Sequence, residues 1–254
     1  MGRRVFAVSD IHVDYEANAR WVRQLSFSDY RNDLLILAGD VTHKLLELAS
    51  CLGALASRFA KVLFVPGNHD LWVLNERTAT SLQKFADIAA AVEDSGATMR
   101  PHWQGKVLFM PLFGWYDYSF GEPGDDLLET WMDYRACRWP EAYGPEEAAA
   151  HFTRLNPRTG SRGAHKVITF SHFLPRIDLV PAFVPLRHRQ LDPVLGSTRL
   201  ERQLRELDSD IHVYGHSHIN RSVDIDGVTY VNNAFGYPGE GRICARQLLC
   251  IDEI

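Results

Sequence analysis

The sequence predicts an α/β fold in which parallel strands lie between helices and an antiparallel tail completes a second sheet. Three observations carry this. Short apolar runs (residues 5–8, 34–38 and 62–65) alternate with stretches of helical periodicity, the order of βαβ units. Each run stops at polar residues able to do chemistry: Asp10, Asp40, Asn68-His69-Asp70, His172 and His216. The tail has alternating runs at 222–225, 228–231 and 247–251, with Asp226-Gly227 as a hairpin turn.

Taken in order, residues 4–9 form a strand ending at Asp10-Ile11-His12, where an extended backbone would send Asp10 and His12 to one side and Ile11 to the core. A helix over 15–25 follows, then a buried strand to Gly39-Asp40, where the glycine allows a tight turn. Alone, Gly-Asp reads equally as a helix cap, and Asp-x-His as an Asx turn beside a surface histidine. A helix over 42–59 leads to the strand 62–65, which ends in Pro66-Gly67-Asn68-His69-Asp70. Three polar side chains in succession at the end of a buried strand each need partners, which favours a function over packing. A helix over 75–95 is closed by Gly96 as a left-handed cap.

A strand over 106–114 opens an aromatic insertion around 114–140, a candidate wall of a substrate pocket, in which Trp115 and Tyr116 could stack on a base. Gly144-Pro145-Glu146-Glu147 starts a helix with Ala148, Phe152 and Leu155 inward. The strand 166–171 ends at His172 and leads into a Pro/Arg-rich loop around 173–196, where Arg176 and Arg187 are candidate phosphate contacts. Thr198-Arg199-Leu200-Glu201 is a capping box, and the strand 210–214 runs into Gly215-His216-Ser217-His218.

At 254 residues, 46% apolar and 23% charged, one well-buried domain spanning 1–254 is expected. A net charge of −5, and no basic cluster longer than Arg187-His188-Arg189, weigh against a nucleic-acid partner. The four cysteines form no C-x-x-C pair, the usage of a reducing compartment. Only four apolar residues follow Arg3-Arg4, too few for an export signal, and no run approaches membrane-spanning length. A cytoplasmic protein without a membrane partner is expected; oligomeric state is not legible.

Together these blocks, D-x-H, G-D, G-N-H-D, a lone His and G-H-x-H, in that order from Asp10 to His218, resemble the calcineurin-like metallophosphoesterases. The resemblance implies a four-layer αββα sandwich of two mixed sheets flanked by helices. It implies two divalent or mixed-valence metal ions (Mn, Fe or Zn), one held by Asp10, His12, Asp40 and His218. Asp40 would bridge to the second, held with Asn68, His172 and His216. A metal-bridged hydroxide would attack phosphorus, with His69 as general acid. One position departs: where phosphoprotein phosphatases carry a second Asp after the G-D block, and purple acid phosphatases a Tyr, this chain has His43. The expected substrate is a small-molecule or nucleotide phosphoester, monoester or diester. A non-catalytic scaffold of this fold that binds a protein partner, or a nuclease, are the alternatives.

Overall fold

Apolar pentads, buried on both faces, form the centre of the molecule. A computed structural model describes residues 2–74, 80–157 and 161–254. In chain order its first half holds β1 (Arg4–Val8), α1 (Glu16–Gln24), β2 (Leu34–Ala38), α2 (Leu45–Ala56), β3 (Lys61–Val65), α3 (Ser81–Asp94), β4 (His102–Gln104) and β5 (Val107–Pro111). Then come α4 (Asp125–Thr130), α5 (Asp133–Ala136), α6 (Pro145–Leu155), β6 (Lys166–Phe170), α7 (Leu186–Arg189), α8 (Asp192–Leu195) and α9 (Thr198–Glu206). The chain closes with β7 (Ile211–Tyr214), β8 (Arg221–Ile225), β9 (Val228–Asn232) and β10 (Leu249–Glu253).

Two sheets result, ordered β10-β1-β2-β3 and β4-β5-β6-β7-β9-β8. Strands β1, β2 and β3 run parallel in one register, as do β5, β6, β7 and β9 in the other sheet. Between the sheets, Ala7, Ile36 and Leu63 pack against Phe109, Ile168 and Val213. A larger apolar cluster lies under the helices, with Leu52 and Leu55 of α2, Ile88 of α3, Phe152 of α6 and Leu204 of α9. The fold is a four-layer αββα sandwich of two mixed sheets, and the carboxyl ends of its parallel strands are where ligands bind in such sheets.

Several expectations are corrected. The last strand does not complete the second sheet. β10 pairs antiparallel with β1 (Ala7↔Leu249) and covers the edge of the first sheet, leaving only β9 antiparallel to β8 in the tail hairpin. The strand β4 is not among the expected elements: its residues His102, Trp103 and Gln104 are partly exposed and form no apolar run. Helix α2 begins three residues after Thr42, because the backbone of 40–42 is engaged elsewhere. Leu155, expected inward, ends α6 at 48% exposed. Of the helix expected over 75–95, α3 accounts for Ser81–Asp94, while 75–79 lies outside the described residues; Gly96 caps it at φ 86° as expected. No helix among the described residues is long and apolar enough to cross a membrane.

Candidate metal centre

The two sheets present their strand ends to one another. The Asp10 N–H donates to Gly39 O (2.9 Å) and the His12 N–H to Asp40 O (3.0 Å), while the Gly215 N–H donates to His172 O (2.9 Å). The convergence is not that of extended strands. Asp10 (φ 53°), His12 (45°), Asp40 (56°), His216 (66°) and His218 (52°) all adopt the left-handed conformation. The expected alternation therefore fails for Asp10 and His12: β1 has ended at Val8, and the chain turns at both residues around a fully buried Ile11. Each such residue costs about 1–3 kcal/mol, and strain of this kind collects at functional sites.

Three groups of side chains bring potential ligand atoms within 4.8 Å of one another: Asp10, His12 and His218; His12, Asp40 and His69; and Asp40, His172 and His216. In the first, His218 Nε2 lies 3.2 Å from Asp10 Oδ1 and 3.3 Å from His12 Nε2. In the third, His172 Nε2 lies 3.5 Å from Asp40 Oδ1, 3.2 Å from His216 Nδ1 and 3.1 Å from Asn68 Oδ1. Asp40 belongs to two groups. Space is tight: at Gly67 a Cβ would overlap Asp40 Oδ1 and come within 2.7 Å of His172 Cε1.

The outward nitrogens are tied down. His172 Nδ1 lies 2.8 Å from Ala38 O, His216 Nε2 3.1 Å from Val194 O, and His218 Nδ1 2.7 Å from Glu240 Oε2. Donating there turns the other nitrogen of each ring inward, where the neutral imidazole offers its lone pair, the arrangement that prepares imidazoles for a metal.

Electrostatics agree. Burial, with Asp10 and Asp70 nearby, pushes the Asp40 carboxyl well above its ordinary range. Burial also acts on Asp10, but the charge and hydrogen bond of His218 win and hold it low. His218 is raised to about 10, because Asp10 and Glu240 outweigh its burial. His12 is lowered to about 3 by burial. Cations would relieve these conflicts by neutralising the carboxylates and taking the imidazole lone pairs. Carboxylate and amide oxygens mixed with imidazole nitrogens suit Mn, Fe or Zn.

His69 stands beside this cluster, its Nε2 3.8 Å from Asp40 Oδ2 and its backbone N–H donating to Asp40 Oδ1 (2.9 Å). Its ring stacks on Trp72, and its Nε2 lies 3.4 Å from the hydroxyl of Tyr237, which itself stacks on His12. His43 does not support it; that ring turns to Asp14, 3.6 Å away. Asp70, next in sequence, is a clamp. Its two oxygens accept the N–H groups of Gly67 (2.8 Å), Asp40 (2.9 Å), Val41 (2.9 Å) and Thr42 (3.0 Å), welding two strand-end loops together.

The four expected substrate contacts lie elsewhere. Trp115 (0% exposed) and Tyr116 (1%) are core residues, packed on Phe173, so neither offers a face to a ligand. Arg176 is spent on Asp178, Glu201 and Asp226. Arg187 sits on the short exposed helix α7 against His188. Among the described residues, the aromatic rings that border the cluster include Trp72, Tyr237, Phe173, 4.9 Å from the His216 ring, and Trp131, 6.1 Å from it. Two of these left a readable signal: Trp72 follows His69 by three residues, one turn of the 3₁₀ segment His69–Leu71, and Phe173 directly follows His172.

Comparison with known proteins follows the same blocks. Residues 3–220 match the family model described as calcineurin-like phosphoesterase. The chain is 27% identical, over 261 aligned positions, to the acyl-carrier-protein phosphodiesterase PptH of Mycobacterium tuberculosis, covering 94% of this chain and 79% of that protein. The crystal structure of phosphopantetheinyl hydrolase (PptH) from M. tuberculosis is similar in fold, with a TM-score of 0.77 at 24% identity over 99% of this chain and 97% of that one. TT1561 of Thermus thermophilus matches at a TM-score of 0.52 and 17% identity, covering 98% of each chain. The family match runs through every strand end that contributes to the donor cluster, and the chain belongs to the calcineurin-like phosphoesterases, a metallophosphoesterase by family and by fold.

Proposed function

We propose that this chain hydrolyses a phosphodiester with two metal ions, and that its substrate is a phosphopantetheine group carried on an acyl carrier protein. The observation that supports the metal reading is the position of Asp40, shared between a group with His12 and His69 and a group with His172 and His216. Asp10, His12, Asp40 and His218 would hold one ion, and Asp40, Asn68, His172 and His216 the other. Bound there, two cations supply charge for the phosphate oxygens and a water acidic enough to ionise near neutral pH.

The chain's own residues do the rest. His69 faces the cluster with its Nε2 free of any carboxylate closer than 3.8 Å and delivers a proton to the leaving oxygen. Burial and the neighbouring imidazoles of His12 and His172 lower its pKa well below the ordinary value. The negative charge of an arriving phosphate opposes that shift and favours the protonated ring. Tyr237 and Trp72 hold its ring in place. The substrate assignment rests on the relative that matches along 94% of this chain, a carrier-protein phosphodiesterase. It replaces the small molecule or nucleotide expected from the sequence.

The test is release of phosphopantetheine from a loaded acyl carrier protein by manganese-supplied enzyme, beside p-nitrophenyl phosphate and bis(p-nitrophenyl) phosphate. Turnover of the carrier protein and of the diester is expected, and His69→Ala should lower it by about 10²–10⁴-fold with metal content unchanged. Preference for the monoester, with no release from the carrier, would overturn the substrate reading. Loss of metal in His69→Ala would make His69 a ligand instead of the proton donor.

A further inference from the structure

The insertion at 114–140 sends one carboxylate into the back of the metal centre. Asp133, at the start of α5, is 2% exposed and meets no cationic side chain among its hydrogen-bond partners. Its Oδ1 accepts from Asn68 Nδ2 (2.9 Å) and from the Trp72 indole (2.7 Å), and its Oδ2 accepts from the Trp131 indole (2.8 Å).

Each partner leads to the cluster. Asn68, anchored by its Nδ2, turns its Oδ1 towards His172 Nε2 at 3.1 Å; a flipped amide would point two N–H donors at the place where a ligand oxygen is needed. Trp72, anchored by its indole N–H, carries the His69 ring at a centroid distance of 3.7 Å. The Trp131 and His216 rings meet nearly at right angles, centroids 6.1 Å apart. The two oxygens of a carboxylate offer acceptor positions for all three donors.

We propose that Asp133 is a positioning residue that fixes, through Asn68 and Trp72, both the amide ligand of the second metal and the orientation of the proton donor. This rests on the dimetal reading above. It also assigns the insertion a role: it braces the metal centre from behind.

The experiment is manganese(II) binding, by stoichiometry and chelator competition, to wild type, Asp133→Asn, Asn68→Ala and the double variant. In Asp133→Asn the expected result is one site of wild-type affinity and a second weakened about 10–100-fold. In the Asn68→Ala background, Asp133→Asn should add no further weakening, as for two residues acting through one contact. Wild-type affinity at both sites of Asp133→Asn, equal weakening of both, or additive losses in the double variant would overturn the proposal. Should Asp133→Asn not fold, Asp133→Glu, which keeps charge and both oxygens but displaces them, is judged by the same selective loss. The dimetal reading is tested separately by the wild type: fewer than two manganese ions per chain would sink that reading without any substitution at Asp133.

Discussion

The indole of Trp72 lies on the imidazole of His69, ring centroids 3.7 Å apart and planes inclined by 26°. If His69 is the proton donor proposed above, stacking would take the place of a supporting carboxylate, since His43 turns to Asp14. Trp72→Leu should therefore release the ring of His69 without touching a metal ligand. Steady-state kinetics on bis(p-nitrophenyl) phosphate should give a kcat lower by about tenfold or more, because misplacing a reacting group by an ångström costs up to about 10²-fold. Metal content should be unchanged. An unaltered kcat would mean that Tyr237 and the backbone alone hold His69.

Glu240 hydrogen-bonds His218 Nδ1 at 2.7 Å and also accepts the Tyr237 N–H at 2.8 Å, so one side chain orients the His218 ring, proposed above as a ligand, and fixes the loop carrying Tyr237. Glu240→Gln keeps the shape and removes the charge. Affinity for one of two manganese ions should fall by about 10–100-fold, the usual effect of losing a partner behind a metal-bound histidine. Equal affinities in variant and wild type, by chelator competition, would remove Glu240 from the site.

His212 is buried in β7, with Nδ1 2.7 Å from the Thr169 hydroxyl and Nε2 3.0 Å from that of Ser171. Burial lowers its pKa from 6.5 to about 3. The unfolded chain therefore takes up a proton that the folded one refuses. The stability this group contributes is full above about pH 6.5 and is lost as pH falls towards about 3, at about 1.4 kcal/mol per pH unit. Urea unfolding of metal-free protein between about pH 6 and about pH 4.5 should show a slope smaller by about that amount in His212→Gln than in wild type. The variant should also be less stable at neutral pH. Identical slopes would mean that His212 is reached by water or charged in the folded state.

What the sequence alone determined was local. Apolar runs placed β1, β2, β3, β6 and β7, Gly96 marked the end of α3 and Asp226-Gly227 the β8–β9 turn, and the strand ends supplied the side chains that the fold gathers. These features depend on neighbours in the chain, where alternation, capping and turn chemistry leave a signature. What faces what was decided in three dimensions. Asn68 finds Asp133 across 65 positions of the sequence and His69 finds Tyr237 across 168, and no local pattern records either meeting. The same holds for Trp115 and Tyr116, whose composition suggested a binding surface until the fold buried them, and for β10, whose alternation fits either sheet and is settled by the open edge of β1. Even the convergence of Asp10 with His12 follows from left-handed turns. Those turns are unfavourable for an isolated chain and persist because Asp70, Gly67 and the buried strand ends hold the surrounding backbone in place.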